Sequence, residues 1–423
     1  MKAAAGPWGN RDFRLLWAGN GISQLGTNGA RIAYPLLALA VTGSPVVAGW
    51  AGFAGSLPNI LLQLPAGVVA DRRNRRTTML ICQAGGALTA LALLLLGMLG
   101  APGFLAALIV LAFAEGCFYV FFDLAELGAV RDVVTVEQRP AAISLHEAQT
   151  HATVLVSRAL GVLMFGLMQW LPFLVNLGSY LVSVMTVAGV NGRATEPLAR
   201  DSGSEGGARG GMRYGLVWLW RNPFLRTVNM LFGATNVIWQ CVILLFIVTA
   251  HQQHQPPWLL GAVLAGSGIG GLAGSAAAPR LARGRCVRTV FIAALWSWTA
   301  LITVIAAAGD PFVQAGAWFG VGATGAAAAI SVSVYEVNAV PAAALGRVAG
   351  ATQILPRGAI PVGAVLGGYL LAALGVRATA WTLVASMLIL ALCGTALLPG
   401  AASPGPVRPP GDRQERDPQR LGS

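Results

Sequence analysis

Charge is what this chain has least of. Only 10% of its 423 residues are Asp, Glu, Lys or Arg, against roughly 25% in an average soluble domain. Acidic residues are the scarcer kind, 16 against 28 basic ones, and there are 4 histidines. With 56% hydrophobic residues and a mean hydropathy of +0.67, a water-covered surface cannot be assembled, so two or three soluble domains, a disordered chain and a collagen-like fibre are all excluded. Cysteine is sparse too. Cys82, Cys117, Cys241, Cys286 and Cys393 are odd in number and form no C-x-x-C pair, which excludes a disulfide framework or zinc site and leaves small apolar packing roles. No cofactor is expected.

What is present is apolar sequence in long runs. Twelve are long enough to cross about 30 Å of hydrocarbon: residues 14–40, 46–70, 77–99, 104–129, 142–168 and 171–191, then 224–250, 258–280, 288–308, 312–337, 346–372 and 377–398. Turn chemistry separates them, as at Thr42-Gly43-Ser44-Pro45 and Gly309-Asp310-Pro311. Period-two alternation is missing, which excludes barrel strands. The expected fold is an all-α integral membrane protein of twelve transmembrane helices.

The formal charge of +12 and pI near 10.5 would suggest a nucleic-acid partner if the basic residues shared a face with aromatics. They do not, and no such partner is expected. With the N-terminus placed in the cytoplasm, 24 of the 28 basic residues fall on that side, Arg377 falls outside, and Arg31, Arg158 and Arg357 lie within spans. Both termini are therefore expected in the cytoplasm. The first residues, Met1 to Arg14, lack a cleavable signal pattern.

The chain also repeats itself. Asn10 and Arg14 recur as Asn222 and Arg226, Gly49 as Gly261, Arg73 as Arg285 and Arg76 as Arg288, each 212 residues on. A repeat in one orientation implies two pseudo-symmetric six-helix halves with a path between them. The expected organisation is a first half over 1–191, a cytoplasmic linker over 192–221, a second half over 222–398 and a polar cytoplasmic tail over 399–423.

Between the second and third spans, Gly67-Val68-Val69-Ala70-Asp71-Arg72-Arg73-Asn74-Arg75-Arg76 resembles the G-x-x-x-D-R-x-G-R-[RK] signature loop of the major facilitator superfamily. Asn74 replaces the usual Gly, and Asn tolerates the left-handed backbone that keeps the turn tight. Leu345-Gly346-Arg347-Val348, followed by Pro361, Gly363, Ala364, Gly367 and Gly368, is similar to the eleventh-helix pattern of the branch holding the enterobactin exporter and macrolide efflux proteins. The resemblance implies an ion-coupled transporter, with efflux the commonest role. Two departures stand out. Val162 follows Gly161 where many drug antiporters carry Pro, and Thr27 follows Gly26 where relatives often carry Asp.

A charge at mid-bilayer costs at least about 2.5–3.5 kcal/mol, so charges inside spans are functional candidates and need partners. Glu115 lies about 17 Å from the outer end of the fourth span, near the midplane, and is the expected proton-carrying carboxylate. The resemblance places the first and fourth helices along one cavity, so Arg31 is its expected partner, with Arg158 as the rival; Arg357 also lies near the midplane. A static buried ion pair remains an open alternative. Asp123 lies in the inner half, and Glu126, Glu147 and Glu336 near cytoplasmic ends. Glu147 and His151, four apart, share a helix face; with His146 they read as cavity-lining or as polar residues at a helix end, since further metal ligands are missing.

Gly67 is expected to permit close helix approach. Asp71 would hold the inner side closed against the positive end of the eleventh helix, as the resemblance implies. Arg72, Arg75 and Arg76 complete that gating loop, although they could equally serve to keep it inside. Gly266, Gly268, Gly270 and Gly271 read as close helix packing, since neither a strand nor a Lys makes them a phosphate loop. Taken together, these features suggest a monomeric, multi-pass protein of the cell (inner) membrane, in contact with the lipid bilayer. It would use protons to export a hydrophobic or amphipathic small molecule such as an antibiotic, siderophore or other natural product. The alternatives are an importer or lipid transporter of the same fold and a non-transporting sensor; no enzyme is expected.

Overall fold

The computed structural model describes residues 7–100, 102–190, 208–281, 286–340 and 345–399, all of them helical or in short turns. The side chains of Asp71, His151, Arg280 and Arg347 lie outside that description. Helix α1 is Arg11–Thr42. Asn10 caps it by accepting from the N–H groups of Asp12 and Phe13, and Gly43, at φ 65, closes it by donating to Leu39. The second span is broken into α2 (Pro45–Ser56), α3 (Pro58–Leu61) and α4 (Gln63–Arg72), and Pro58, lacking an N–H donor, starts the second piece. Then follow α5 (Arg75–Met98), α6 (Phe104–Val133), α7 (Arg139–Leu167) and α8 (Leu171–Ala188).

The later part holds α9 (Ala208–Arg221), α10 (Pro223–Gln252), α11 (Pro257–Leu281), α12 (Val287–Ala307) and α13 (Pro311–Ala339). It ends with α14 (Leu345–Thr352) and α15 (Ile354–Leu397). Within the segment read as a linker, α9 is thus a helix, packed on α14 and α10. Gly375, at φ 74 and ψ 174, interrupts α15 between its two expected spans, a backbone conformation that suits glycine.

Nine helices among the described residues are long and apolar enough to cross a membrane, the last of them running through Gly375. Helix α1 is not among them because it buries polar side chains, including Asn20, Ser23, Gln24 and Thr27. The broken α2–α4 stretch is not among them either.

The repeat has structural counterparts. Asn222 caps α10 through Leu225 N–H, as Asn10 caps α1. Arg76 donates to the carbonyls of Val187 (3.3 Å) and Ala188 (2.6 Å) at the end of α8. Arg288 does the same to Leu398 (2.9 Å) and Thr395 (3.2 Å) at the end of α15. Gly49 and Gly261 both lie where helices of the earlier and later parts cross: an added Cβ would stand 2.5 Å from Ala364 O at the first site and 3.3 Å from Ala159 O at the second.

These two crossings, α2 with α15 and α7 with α11, sit at the end of the bundle away from the arginine-rich α4–α5 loop. At the arginine-rich end nothing lies within 4 Å of a Cβ placed on Gly67, so Gly67 does not serve close approach in this conformation. The glycines of α11 do. Gly266 and Gly270 press on the backbone of α13 at Ala315 and Phe319, which is helix packing of the small-residue kind. Of the twelve tryptophans, Trp218, Trp298 and Trp318 are buried, and Trp220, Trp258 and Trp296 are exposed.

Candidate functional site

A cavity of about 420 Å³ lies between α1, α2, α6 and α7 on one side and α10 and α15 on the other. Its wall starts at the glycine crossing, with Ala48, Gly49 and Ala364, and runs toward the arginine-rich end as far as Asn59, Asp123 and Thr150. Ile32, Val154, Ile243, Leu244, Ile247 and Ile360 give it apolar surface. Its charged residues are Arg31, Asp123, Arg158 and Arg357. This volume and mixture suit a drug-sized molecule.

Glu115 is 3% exposed and stands behind this wall. It pairs with neither arginine, contrary to the expected ion pair. One carboxylate oxygen accepts from the hydroxyl of Tyr34 on α1. The other accepts from the Tyr180 hydroxyl and the Asn176 amide of α8, each at 2.7 Å. Thr27 Oγ1 lies 3.1 Å from the Tyr180 hydroxyl and 3.4 Å from Asn176 Oδ1. The reason is geometric: α8 packs between α1 and α5 and offers two neutral donors, while Arg31 stacks 4.1 Å from the centre of the Tyr119 ring.

A tyrosine hydroxyl both donates and accepts. The cage can therefore hold an ionised carboxylate with three donors, or a protonated one that donates to a tyrosine whose own hydrogen has turned away. Tyr34 also lines the cavity, so one residue reaches both the carboxylate and the space where a ligand would sit. Thr27, where the resemblance leads one to look for an acid, is two hydrogen bonds from Glu115.

A polar column continues below this cage. Gln83 donates to Ser23 (3.0 Å) and Ser183 (2.8 Å), and Thr153 donates to Gln24 (2.8 Å). Glu126, fully buried, has His146 Nδ1 at 3.3 Å. Glu147 is exposed; the side chain of His151 is outside the description. Glu336 is held by Thr352, whose hydroxyl is 3.3 Å away.

In the signature loop, Arg75 ties α4 to α6. It donates to the carbonyls of Ala70 (3.3 Å) and Gly128 (3.1 Å) and forms an ion pair with Asp132. Arg72 is exposed. Asn74 is not left-handed as expected: at φ −59 it caps α5, accepting from Thr77 N–H at 3.2 Å. An N-cap needs an extended backbone and a side-chain acceptor, and Asn meets both needs.

Sequence reasoning missed Tyr34, Tyr180 and Asn176. Each is a polar residue inside an apolar run, which is a signal, but nothing linear says that all three converge on one carboxylate.

The profile of the Major Facilitator Superfamily matches residues 16–360. The multidrug efflux pump Tap of Mycolicibacterium fortuitum is 27% identical over 372 residues, 86% of this chain and 88% of that protein. The uncharacterized MFS-type transporter YfiS of Bacillus subtilis strain 168 is 26% identical over 341 residues, 76% of this chain and 77% of that one. Among solved structures, a variant of the nucleoside transporter NupG superposes with a TM-score of 0.73 at 12% identity, covering 92% of this chain and all (100%) of that one. A bacterial homologue of the iron transporter ferroportin, in an inward-facing state, superposes with a TM-score of 0.70 at 14% identity over 92% of this chain and 98% of that one. The sequence match, the shared helical fold and the ligand-sized cavity between the two parts agree: the chain belongs to the Major Facilitator Superfamily and is a transporter, not an enzyme.

Proposed function

We propose that this protein is a proton-coupled exporter of hydrophobic or amphipathic small molecules, working as a monomer by alternating access in the cell membrane. In this reading twelve spans form two six-helix halves, 1–191 and 222–398, with both termini in the cytoplasm. The arginine-rich end then faces the cytoplasm by the positive-inside rule, and the sealed glycine crossings face outward. On this reading the cavity takes substrate from the inside in the conformation described.

The observation that carries the coupling is the cage around Glu115: a buried carboxylate whose donors can re-aim when it gains a proton, with Tyr34 linking it to the cavity. A proton moving inward down the potential contributes about 2.3 kcal/mol per 100 mV. Protonation would change the charge beside the substrate and bias one conformation over the other. Export is supported by the relative named as a multidrug efflux pump; the fold itself carries no direction, since proteins described as nucleoside and iron transporters share it.

Uptake into inverted membrane vesicles across a compound panel, with and without an uncoupler, tests the proposal. Accumulation abolished by the uncoupler, and uncoupled from pH by Glu115→Gln, is the expected result. Accumulation of nothing, or accumulation indifferent to both, would sink it.

A further inference from the structure

We infer that the cavity selects substrates bearing an anionic group, a carboxylate or a phosphate, on an apolar body. The inference rests on the transport reading and names its substrate class. Three arginines line the cavity against a single acid, Asp123. Glu115 does not offset them: it is outside the lining, and its oxygens are occupied by Tyr34, Tyr180 and Asn176.

None of the three arginines is ion-paired among the described residues, where Arg75 pairs with Asp132 and His146 Nδ1 stands 3.3 Å from Glu126. Arg31 has a buried Nη2 without a hydrogen-bond partner and rests on the Tyr119 ring at 4.1 Å. Arg158 and Arg357 are exposed, and both line the cavity.

Cations held between apolar walls are costly where counter-charge is short, and one acid among three arginines leaves it short. Apolar walls also focus the field of the remaining charge into the cavity. An anion relieves both costs through charge-assisted, bidentate contacts that guanidinium groups make well. A cation of the same shape meets like charge. The apolar body has its own surface in Ile243, Ile247 and Ile360.

The arginines also come from both parts of the chain, Arg31 on α1 and Arg158 on α7 facing Arg357 on α15. While the cavity is empty, like charges oppose one another as the two parts approach. A bound anion removes that opposition, so it would promote closure of the arginine-rich end.

The test is equilibrium binding to the purified full-length protein in phosphatidylcholine nanodiscs, with three probes of one shape: naphthylacetate, naphthyl phosphate and naphthylmethylammonium. Both anions are expected to bind at least roughly ten-fold more tightly than the cation. Arg158→Gln and Arg357→Gln should each weaken both anions roughly ten-fold, and Arg357→Lys should recover part of the loss. Monodisperse protein in size-exclusion chromatography shows that each variant is folded.

A cation bound as tightly as the anions would overturn the inference, as would failure of the wild type to bind either anion, or anion binding indifferent to both Gln variants. Nanodiscs containing phosphatidylglycerol separate the sources of the anion. Lost probe binding there assigns the site to a lipid headgroup, retained binding to a soluble anion, and either outcome keeps the anion selectivity. Uncoupler-insensitive vesicle uptake alongside selective anion binding would remove the proton-driven reading and leave this one standing.

Discussion

Tyr34 on α1 donates its hydroxyl to Glu115 on α6 and also lines the central cavity, so one residue joins the buried carboxylate to the ligand space. Tyr34→Phe keeps the ring and removes the donor. A lost hydrogen bond to a charged group is worth about 1.5–3 kcal/mol. The variant is expected to insert normally and to transport with an altered pH profile. Glu115→Gln should abolish pH dependence altogether, read by vesicle uptake at a series of imposed pH gradients.

Arg75 is where two readings of the signature loop separate. Its contacts with Gly128, Ala70 and Asp132 hold α4 and α6 together, which is a structural job in the conformation described. Arg75→Ala and Asp132→Ala should each lower thermal stability in detergent. Together they should cost less than the sum, by at least about 0.5 kcal/mol, because they share one interaction. Full additivity would remove the pair from the account.

The glycine crossings predict a shift of population. Gly49→Val and Gly261→Val place branched side chains against the Ala364 and Ala159 carbonyls, so the sealed end should be forced apart. Cysteines introduced on the cavity wall should then react faster with a membrane-impermeant thiol reagent added from the sealed side. Unchanged labelling rates would mean that these crossings do not hold the seal.

Glu126 and His146 form a buried pair with 0% and 7% side-chain exposure. His146→Ala removes the nearest partner of the buried carboxylate and is expected to lower stability. Adding Glu126→Gln to His146→Ala removes the carboxylate and should recover most of the loss, measured as the apparent melting temperature of the purified protein.

Much of this was legible residue by residue. The capping role of Asn10 and Asn222 follows from side-chain acceptors placed just before apolar runs. The twin arginine clamps on α8 and α15 are anticipated by Arg76 and Arg288 recurring at one spacing. Arg31, Asp123, Arg158 and Arg357, singled out because charge inside a span is expensive, all reach the one cavity.

What was not legible concerns direction around a helix axis. At 3.6 residues per turn each step swings a side chain by about 100°, and one pair of packed helices can face each other in many rotations. The repeat makes the point at α1 and α10: 212 residues on from Thr27, Arg31 and Tyr34 stand Trp239, Ile243 and Phe246, an apolar set where the first helix is polar. Linear pattern places both triads on helices and shows that the first is polar and the second apolar. It does not show that Glu115 would turn to Tyr34, Tyr180 and Asn176 instead of to Arg31.

Hydrophobicity and turn chemistry act over a few residues, so they wrote the helices, their order and the inventory of buried charges into the chain. Pairing among those charges depends on which helix packs beside which and at what rotation. That is settled only when α8 seats between α1 and α5, hydrogen-bonding the carboxylate and leaving three arginines without ion-pair partners on the cavity.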